Sequence, residues 1–274
     1  MIRALPRQYR DGVDDRALAA REHENFIASI GMVAAHRQGG LVRHRDGIAV
    51  LAAGGPLRVF NQVFVESSAA PDAALADGVA TMRAGGYRFV VHLRTGDDDA
   101  RVPLLAGLGL VEPEADDGLP GMALHPIGGM PPLPPALEIR KVEDAAGLAE
   151  HVRVTALGFG LDEGMVRGLL GSALLDVPGV RFYVGYVDGV AVAGGAGVAS
   201  GTTIGVYNIA TLESARRRGY GAALTARVVE DGRADGHEVA VLQASDVGLP
   251  IYERLGFRTV VRYRAFVDPD PPHA

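Results

Sequence analysis

Two periodicities of hydrophobic residues divide the chain into predicted strands and helices. Alternating or continuous apolar runs indicate strands, whereas apolar residues three and four positions apart indicate helices. In the second half they predict strands at Leu137–Val142, Val180–Val187, Val190–Ala199, Thr203–Ala210, Val239–Gln243 and Phe257–Val267. They predict helices at Asp144 to about Thr155, Glu163–Leu175, Gly219–Arg233 and Leu249–Leu255. This succession, with its hairpin meander, indicates an α/β or α+β fold with a mixed sheet.

The first half repeats the same order of elements more weakly. Its predicted elements are a helix at Asp15–Ile30, strands at Ile48–Ala53 and Val59–Val65, a helix at Pro71–Ala84, a strand at Tyr87–Leu93 and a short helix at Val102–Leu110. Asn61 and Asn208 both follow an aromatic residue in a strand, and each lies 48 residues before a glycine, Gly109 or Gly256. We infer an internal duplication with a shortened loop in the first copy. The alternative is that any two α/β halves can be aligned somewhere.

A segment rich in proline and glycine separates the halves. It spans Gly128–Pro135 and reads GGMPPLPP. Proline fixes φ and removes a backbone donor, so neither a helix nor a strand ladder can run through this segment. The prediction is a domain over residues 1–127, an extended linker over 128–136 and a second domain over 137–274.

Composition narrows the classes of function. The chain has 274 residues, no cysteine and a formal net charge of −6. Without cysteine there are no disulfides, thiolate zinc sites or cysteine nucleophiles, and the charge disfavours a nucleic-acid groove. No apolar run is long enough to span a membrane, and the N-terminal MIRALPRQYRDG lacks a signal-peptide core. We expect a cytoplasmic protein with a composition typical of GC-rich bacterial genomes.

The strongest chemical signal is the segment Asn208–Ala222, which reads NIATLESARRRGYGA. A strand ends there and a helix begins at Gly219–Gly221, directly after three arginines. A helix N-terminus has unpaired N–H groups and partial positive charge, so it attracts phosphate, and glycine lets an anion approach the backbone. Arginines at that end disfavour the helix itself, which suggests that the site serves an anion. The alternative is a tight turn with a solvated basic surface.

Two motifs in this region resemble those of GNAT-family acetyltransferases. Arg216-x-x-Gly219-x-Gly221 matches the family's [QR]-x-x-G-x-[GA] loop after its fourth strand. Downstream, LQASDVGLPIYERLGFRTV is similar to the family's fifth strand, short helix and Y-x-x-x-G-F ending, with Tyr252, Gly256 and Phe257 in those positions. The resemblance covers about 130 residues of the second half. It implies two GNAT-like domains, each a mixed, mostly antiparallel sheet flanked by helices.

The resemblance also implies a site for acetyl-CoA in the second domain, without a metal. Backbone N–H groups from Arg217 to Ala222 would hold the pyrophosphate, and a splayed strand pair would admit the thioester arm. The implied cofactor-binding residues are Ile209, Ala210, Thr211, Arg216, Arg217, Arg218, Gly219, Tyr220, Gly221, Ala222, Ser245 and Tyr252. The reaction is then direct attack of an amine on the thioester carbonyl.

Tyr252 and Asn208 are the candidate catalytic residues. Tyr252 matches the family's tyrosine acid, although it could also only pack the short helix. Asn208 is polar within an apolar strand, so it could orient substrate or water, or satisfy a neighbouring backbone group. Glu213 lies beside the loop but is more typical of a solvated residue, and a water chain could replace a side-chain base.

The first half departs from the family's motif. Its matching segment, VFVESSAAPDAALADG, has neither the arginines nor the G-x-G, and the carboxylates Asp72 and Asp77 would repel a pyrophosphate. We interpret it as a degenerate GNAT-like copy. It would supply a wall of the acceptor site, a docking face or simply scaffold.

The leading hypothesis is an N-acetyltransferase that acts on a primary amine of a small molecule, peptide or protein, with a homodimer as one option. The alternative is a regulatory module that binds acyl-CoA without transfer. A third possibility, the mycothiol-synthase type of tandem GNAT, shares the two-copy layout. No paired histidines, Walker loop or G-x-S-x-G elbow appears in the sequence.

Overall fold

A computed structural model describes residues 14–113 and 118–269. The N-terminal segment MIRALPRQYRDG, in which the sequence indicates no signal-peptide core, lies outside these ranges. Seven helices of the described chain have the bounds α1 Asp15–Ala35, α2 Asp72–Ala84, α3 Val102–Gly107, α4 Ala145–Phe159, α5 Glu163–Leu169, α6 Tyr220–Ala234 and α7 Leu249–Arg254. Its strands are β1 Leu41–Arg45, β2 Ile48–Ala52, β3 Asn61–Val65, β4 Val90–Arg94, β5 Leu119–Leu124, β6 Glu138–Lys141, β7 Val180–Val187, β8 Val190–Ser200, β9 Thr203–Thr211, β10 Val239–Gln243 and β11 Arg258–Val267.

All of these strands form one sheet, in which the last strand of each half lies next to the other half. The order is β1-β2-β3-β4-β11-β5-β10-β9-β8-β7-β6. β11, from the end of the chain, pairs antiparallel with β4, while β5 pairs antiparallel with β10. β5 and β11 also pair with each other at the centre. The two halves are therefore joined through exchanged strands. The division of the chain into domains at residues 1–127 and 137–274 stays a prediction.

The sheet order has an internal symmetry that agrees with duplication. Reading outward from the central β5 and β11, β4 is matched by β10, β3 by β9, β2 by β8 and β1 by β7. Each half has one parallel pair, β3 with β4 and β9 with β10. The mixed, mostly antiparallel sheet flanked by helices confirms the predicted fold class.

Asn61 and Asn208, which were matched by their spacing in the sequence, occupy different places in their strands. Asn61 is the first residue of β3, whereas Asn208 lies late in β9. The parallel ladders start with Gln62 opposite Val90 and with Thr203 opposite Val239. The match between the two Asn residues stays a prediction. Asn61 has a structural role, since its Oδ1 accepts from the Gly54 N–H at 2.8 Å.

The predicted elements differ from the structure in two missing strands and in the bounds of one strand and one helix. Two strands, β1 and β5, were not predicted. The predicted strand Val59–Val65 begins as a 3-10 turn at Arg58–Phe60, because the Phe60 N–H bonds back to the Leu57 carbonyl. The predicted helix Glu163–Leu175 ends at Leu169 and continues after a break as a 3-10 turn at Ser172–Asp176.

Helices cover both faces of the sheet. In β2, Ile48 and Val50 pack with α2, whereas Ala49 and Leu51 pack with α1 on the opposite face. α6 packs on the same face as α2, against residues such as Ile204 and Leu242 of the second half. α1 crosses the centre of its face, where Leu18 contacts β5 and β10 and Phe26 contacts β3 and β11. The N-terminal helix therefore packs on both halves.

Candidate functional site

The start of α6 forms an open cradle for an anion. Gly219 is the N-cap, with φ of +81°, and no side chain caps the helix. The first intrahelical bond runs from the Ala223 N–H to the Gly219 carbonyl, so the N–H groups of Tyr220, Gly221 and Ala222 have no partner within the helix. Arg217 is also left-handed, with φ of +61°, which turns the chain tightly into the helix. The residues fit a diphosphate because this is a 15-residue helix with an uncapped, glycine-lined N-terminus.

The three arginines of the loop differ in their surroundings. The Arg216 guanidinium donates to the carbonyl oxygens of Gly158 at 2.9 Å and Thr211 at 3.3 Å, which ties the loop to the end of α4. Arg217 and Arg218 are exposed. Arg216 thus positions the loop, while Arg217 and Arg218 supply positive charge at its surface. The Tyr220 side chain is buried in the core beneath the loop, so only its main chain faces the cradle.

The strands β9 and β10 separate beside this cradle. Their parallel ladder covers only Thr203–Gly205 opposite Val239–Val241. Beyond it, Ala210 and Thr211 still pair with β8 on their other edge. The edge of β9 that faces β10 therefore has no strand partner along Ile209–Thr211, and the Thr211 carbonyl there accepts from Arg216. A Cβ added at Gly221 would lie 3.5 Å from Ile209 Cγ2 and 3.7 Å from Thr211 Oγ1, so the open edge leads directly to the helix N-terminus.

A β-bulge in β9 lies at the same point. Ala196 pairs with Tyr207 and Gly194 with Ala210, so Gly195 of β8 faces two residues, Asn208 and Ile209. Asn208 is left-handed, with φ of +53°, a conformation that asparagine tolerates better than most residues. The bulge turns the main chain out of the ladder where β9 and β10 diverge. The left-handed backbone at position 208 therefore explains why an asparagine lies there, and this conformation could not be inferred from the sequence.

This explanation predicts different effects for two replacements of Asn208. Asn208→Gly should leave the free energy of unfolding nearly unchanged, since glycine adopts positive φ freely. Asn208→Val should lower it by about 1–2 kcal/mol, because a β-branched residue is strained there. Urea unfolding of both variants measures the difference. Equal stability of the two would contradict the strained bulge.

Tyr252 lies on α7, half-buried, with its ring against Phe257 at a centroid distance of 6.1 Å. Burial raises the pKa of its hydroxyl above the usual value. Gly248 leaves room for the ring, since a Cβ there would come within 2.8 Å of Tyr252 Cε2. Ser245 starts the α7 turn, where its carbonyl accepts from the Leu249 N–H at 2.8 Å and its Oγ from the Gly248 N–H at 3.3 Å. Ser245 therefore positions the element that carries Tyr252.

A cavity of about 430 Å³ opens between the two halves, on the face covered by α1. Its lining includes Tyr207 and Asn208 of β9 and Gln243 of β10, next to the separation of these strands, and continues over β8 to Val180 and Phe182 of β7. On the side of the first half it reaches Arg58 and Gln62. Most of the side chains between them are aliphatic or aromatic. The sequence raised a wall of the acceptor site as one role for the first half, but it indicated neither this cavity nor the residues of the first half that line it.

A buried polar network adjoins this cavity, and sequence reasoning missed it. The Gln243 Nε2 donates to Glu22 Oε1 at 2.6 Å, and the Tyr263 hydroxyl donates to Glu22 Oε2. The Tyr207 hydroxyl donates to Asn25 Oδ1 at 2.8 Å. A signal was present: Glu22 and Asn25 fall at helical spacing after Leu18, on the face of α1 that is buried. The network connects α1 to β9, β10 and β11.

Burial raises the pKa of Glu22 to about 7, although hydrogen bonds from Gln243 and Tyr263 oppose the shift. Burial also lowers the pKa of His23 to about 4, so its ring is neutral. The His23 Nε2 lies 2.9 Å from the Val65 carbonyl and must carry the proton, which leaves Nδ1 as an acceptor 3.1 Å from the Tyr263 hydroxyl. Protonation of Glu22 would reverse its bond with Tyr263: the carboxyl would then donate to the Tyr263 oxygen, and the Tyr263 hydroxyl would donate to His23 instead of to Glu22.

The raised pKa predicts a pH-dependent effect of Glu22→Gln. The folded-state pKa lies above the unfolded value near 4.5, so this group's stabilisation is present below pH 4.5 and lost as the pH rises through 7. Glutamine mimics the protonated acid. We expect Glu22→Gln to unfold like the wild type at pH 5 and to be more stable by on the order of 1–3 kcal/mol at pH 8.5.

Urea unfolding at both pH values measures this effect, and Glu230→Gln on the exposed face of α6 is the control. A difference from wild type that is the same at pH 5 and pH 8.5 would show that Glu22 does not titrate between them.

The corresponding loop of the first half is closed by its own side chains. Arg101 is buried and donates to the carbonyl oxygens of Ser68 at 2.9 Å and Ala70 at 2.8 Å, directly before α2. Its Nε also lies 3.9 Å from Asp72, the first residue of that helix. β3 is short, and its ladder with β4 covers Gln62–Phe64. These contacts agree with the interpretation of the first half as a degenerate copy.

In the described ranges, no cluster of three His, Asp or Glu side chains is arranged to hold a metal, and no helix is long and apolar enough to cross a bilayer.

Comparison with known proteins gives a family match in the second half. Residues 178–259 match the model of an acetyltransferase (GNAT) domain. These residues include the cradle, the bulge and Tyr252. A search of curated proteins gives no match.

Solved structures share the whole fold. A GCN5-related N-acetyltransferase from Kribbella flavida is 20% identical, with 93% of this chain and 96% of that chain covered and a TM-score of 0.70. A tandem GNAT protein from the clavulanic acid biosynthesis pathway is 12% identical, with coverage of 95% and 97% and a TM-score of 0.59. A GCN5-related N-acetyltransferase from Sphaerobacter thermophilus is 14% identical, with coverage of 81% and 80% and a TM-score of 0.57. At these identities the likeness shows the fold. Residues 178–259 therefore match an acetyltransferase (GNAT) domain, and the overall fold of the chain is the one shared by these solved structures, a tandem GNAT protein among them.

Proposed function

We propose that this protein transfers an acetyl group from acetyl-CoA to the primary amine of a small molecule, peptide or protein. The observation that carries the proposal is the uncapped, glycine-lined start of α6 beside the open edge of β9. An anion-binding helix end next to a free strand edge suits a ligand that has a diphosphate followed by an amide-containing arm. CoA has both.

The chain's residues have distinct roles in binding. Main-chain N–H groups of Arg217–Ala222 bind the diphosphate, and Arg216 holds the loop in place. The free edge of Ile209–Thr211 pairs with the amide arm as an added strand would. When bound, acetyl-CoA supplies the thioester carbonyl for attack and a thiolate as leaving group.

In the chemical step the amine nitrogen forms a bond to the acetyl carbon, and the bond between that carbon and sulfur breaks. The Tyr252 hydroxyl is protonated near neutral pH, since tyrosine ordinarily has a pKa near 10 and burial raises that pKa further, so it can donate its proton to the departing sulfur and regain one from solvent. The attacking nitrogen loses a proton to solvent or a water chain. Asn208 shapes the bulge next to the reacting groups, where its amide lines the cavity.

Thiol release tests the proposal. Purified protein with acetyl-CoA and a panel of primary amines should release thiol in the presence of at least one amine. Binding of acetyl-CoA without thiol release for any amine would favour the alternative, a regulatory acyl-CoA-binding module. The proposal includes a cytoplasmic location, suited to a cysteine-free chain, and leaves nucleic acid and membranes out as partners. The resemblance raises a homodimer as one option.

A further inference from the structure

The charged groups that line the cavity between the halves determine which amines it can bind as acceptor. Of the lining residues that the structure describes, none is Asp or Glu, and the one with a permanent charge is Arg58. His92 also lines the cavity, but burial lowers its pKa to about 3, so the ring is neutral. The Glu22 carboxyl is buried and does not line the cavity, and its two oxygens accept hydrogen bonds from Gln243 and Tyr263. Over residues 14–113 and 118–269, the lining of the cavity therefore offers no exposed carboxylate to an ammonium group.

The distribution of polar groups gives the acceptor a direction. Tyr207, Asn208 and Gln243 lie beside the separated β9 and β10, where the proposed transfer takes place, and the lining on both sides of them is mostly apolar. From there the lining passes apolar residues of α1, among them Phe26 and Ile30, toward the first half. An amine that reacts beside Asn208 therefore has the rest of its body against aliphatic and aromatic side chains.

A second amino group would be poorly accommodated. An ammonium ion moved from water into an apolar cavity without a counter-ion loses most of its hydration energy, and here it would also approach the Arg58 guanidinium. The reacting amine escapes this cost because it must be neutral to attack. An apolar cavity selects that neutral form directly from solution, which reduces the need for a side-chain base.

We infer that the acceptor is a monoamine with an apolar body, an alkylamine or arylalkylamine, bound in the cavity formed jointly by the two halves. Polyamines, aminoglycosides and lysine-rich peptides are excluded as preferred acceptors. The inference rests on the proposed function and assigns the first half, which has lost the anion cradle, to acceptor specificity.

A matched pair of amines tests the inference. Hexylamine and 1,6-diaminohexane have the same chain length and the same reacting group, and differ only in a distal ammonium. With saturating acetyl-CoA and full-length protein, we expect kcat/KM from thiol release to be at least about 100-fold higher for hexylamine. Because either amine of the diamine can react, its kcat/KM gains a statistical factor of about two, which makes the expected preference for hexylamine harder to observe.

A carboxylate introduced into the cavity should weaken the preference for hexylamine over 1,6-diaminohexane. Val59 lines the first-half end and is 57% exposed, so Val59→Glu is expected to fold. It should reduce the preference for hexylamine about tenfold by pairing with the distal ammonium. Val190→Glu, at a 59% exposed valine of β8 that does not line the cavity, is the matched control and should leave the preference unchanged.

The outcomes separate the two proposals. Equal rates for both amines, or a preference for the diamine, would overturn the inference while acetyl transfer stands. Thiol release with kanamycin or a lysine peptide but with neither alkylamine would do the same. No thiol release with any of these amines would refute the proposed function and the inference together.

Discussion

Replacing Gly221 by aspartate should abolish CoA binding without loss of the fold. Gly221 is the second residue of α6, where a carboxylate favours the helix through its dipole but would occupy the place of a diphosphate. We expect Gly221→Asp to weaken the Kd for CoA at least about 100-fold by calorimetry, which corresponds to roughly 3 kcal/mol. Gly219→Asp should have the same effect on binding.

Matched variants separate charge from shape. A Cβ at 221 would make only ordinary contacts, 3.5 Å to Ile209 and 3.7 Å to Thr211, so Gly221→Ala should bind CoA close to normally. Gly219 has positive φ, and Gly219→Asp adds strain as well as charge. Gly201→Asp, in an exposed turn with φ of +52°, adds comparable strain and charge elsewhere and should bind normally. Unchanged affinity in both Gly219→Asp and Gly221→Asp would refute the placement of the diphosphate.

Tyr252→Phe should lower kcat about 100-fold and leave the Kd for CoA within about twofold. The substitution keeps the ring contact with Phe257 and the fit over Gly248, so α7 should stay in place. Only the hydroxyl that would protonate the departing thiolate is lost. Steady-state thiol release gives kcat, and calorimetry gives the Kd.

Tyr87→Phe in the first half serves as the control for the loss of a tyrosine hydroxyl, since Tyr87 lies outside the cavity lining. If Tyr252→Phe turns over like the wild type, Tyr252 only packs the short helix and another group supplies the proton. A parallel loss of kcat and CoA affinity would instead show that Tyr252 positions the cofactor.

The sequence predicted the local elements of the second half well, because their signals are local. β7 and β10 have the predicted bounds, and the Asp144 side chain caps α4 as expected by accepting from the Gly147 N–H. The loop before α6 was found because glycine and arginine mark a helix end that binds anions. Each of these features depends on residues close together in the chain.

β5 escaped prediction because its residues break the usual rules for strands. It reads LPGMAL, with proline and glycine inside. The structure explains the glycine: a Cβ at Gly121 would meet the Glu22 carboxyl carbon at 2.6 Å and Val261 Cγ1 at 2.5 Å. The space is needed by a side chain from α1 about a hundred residues earlier. The need for glycine at position 121 therefore cannot be predicted from the neighbouring residues in the sequence.

The polar network and the cavity were missed for the same reason. Glu22 on a helix is an ordinary surface residue until its partners are known, and Tyr263 is 241 residues away in sequence. The cavity is lined by strands and a helix from both halves, so its apolar character appears only when they are assembled. Distance in sequence, rather than weak chemistry, limits what could be predicted.

The exchange of β5 and β11 has a consequence for synthesis on the ribosome. Translation proceeds from the N-terminus, so β4 exists long before β11, its partner in the finished sheet. Until the last strand emerges, β4 has an unpaired edge, which other chains in a crowded cell could bind. The sheet of the nascent first half is therefore closed on this side only after the whole second half up to β11 has emerged from the ribosome.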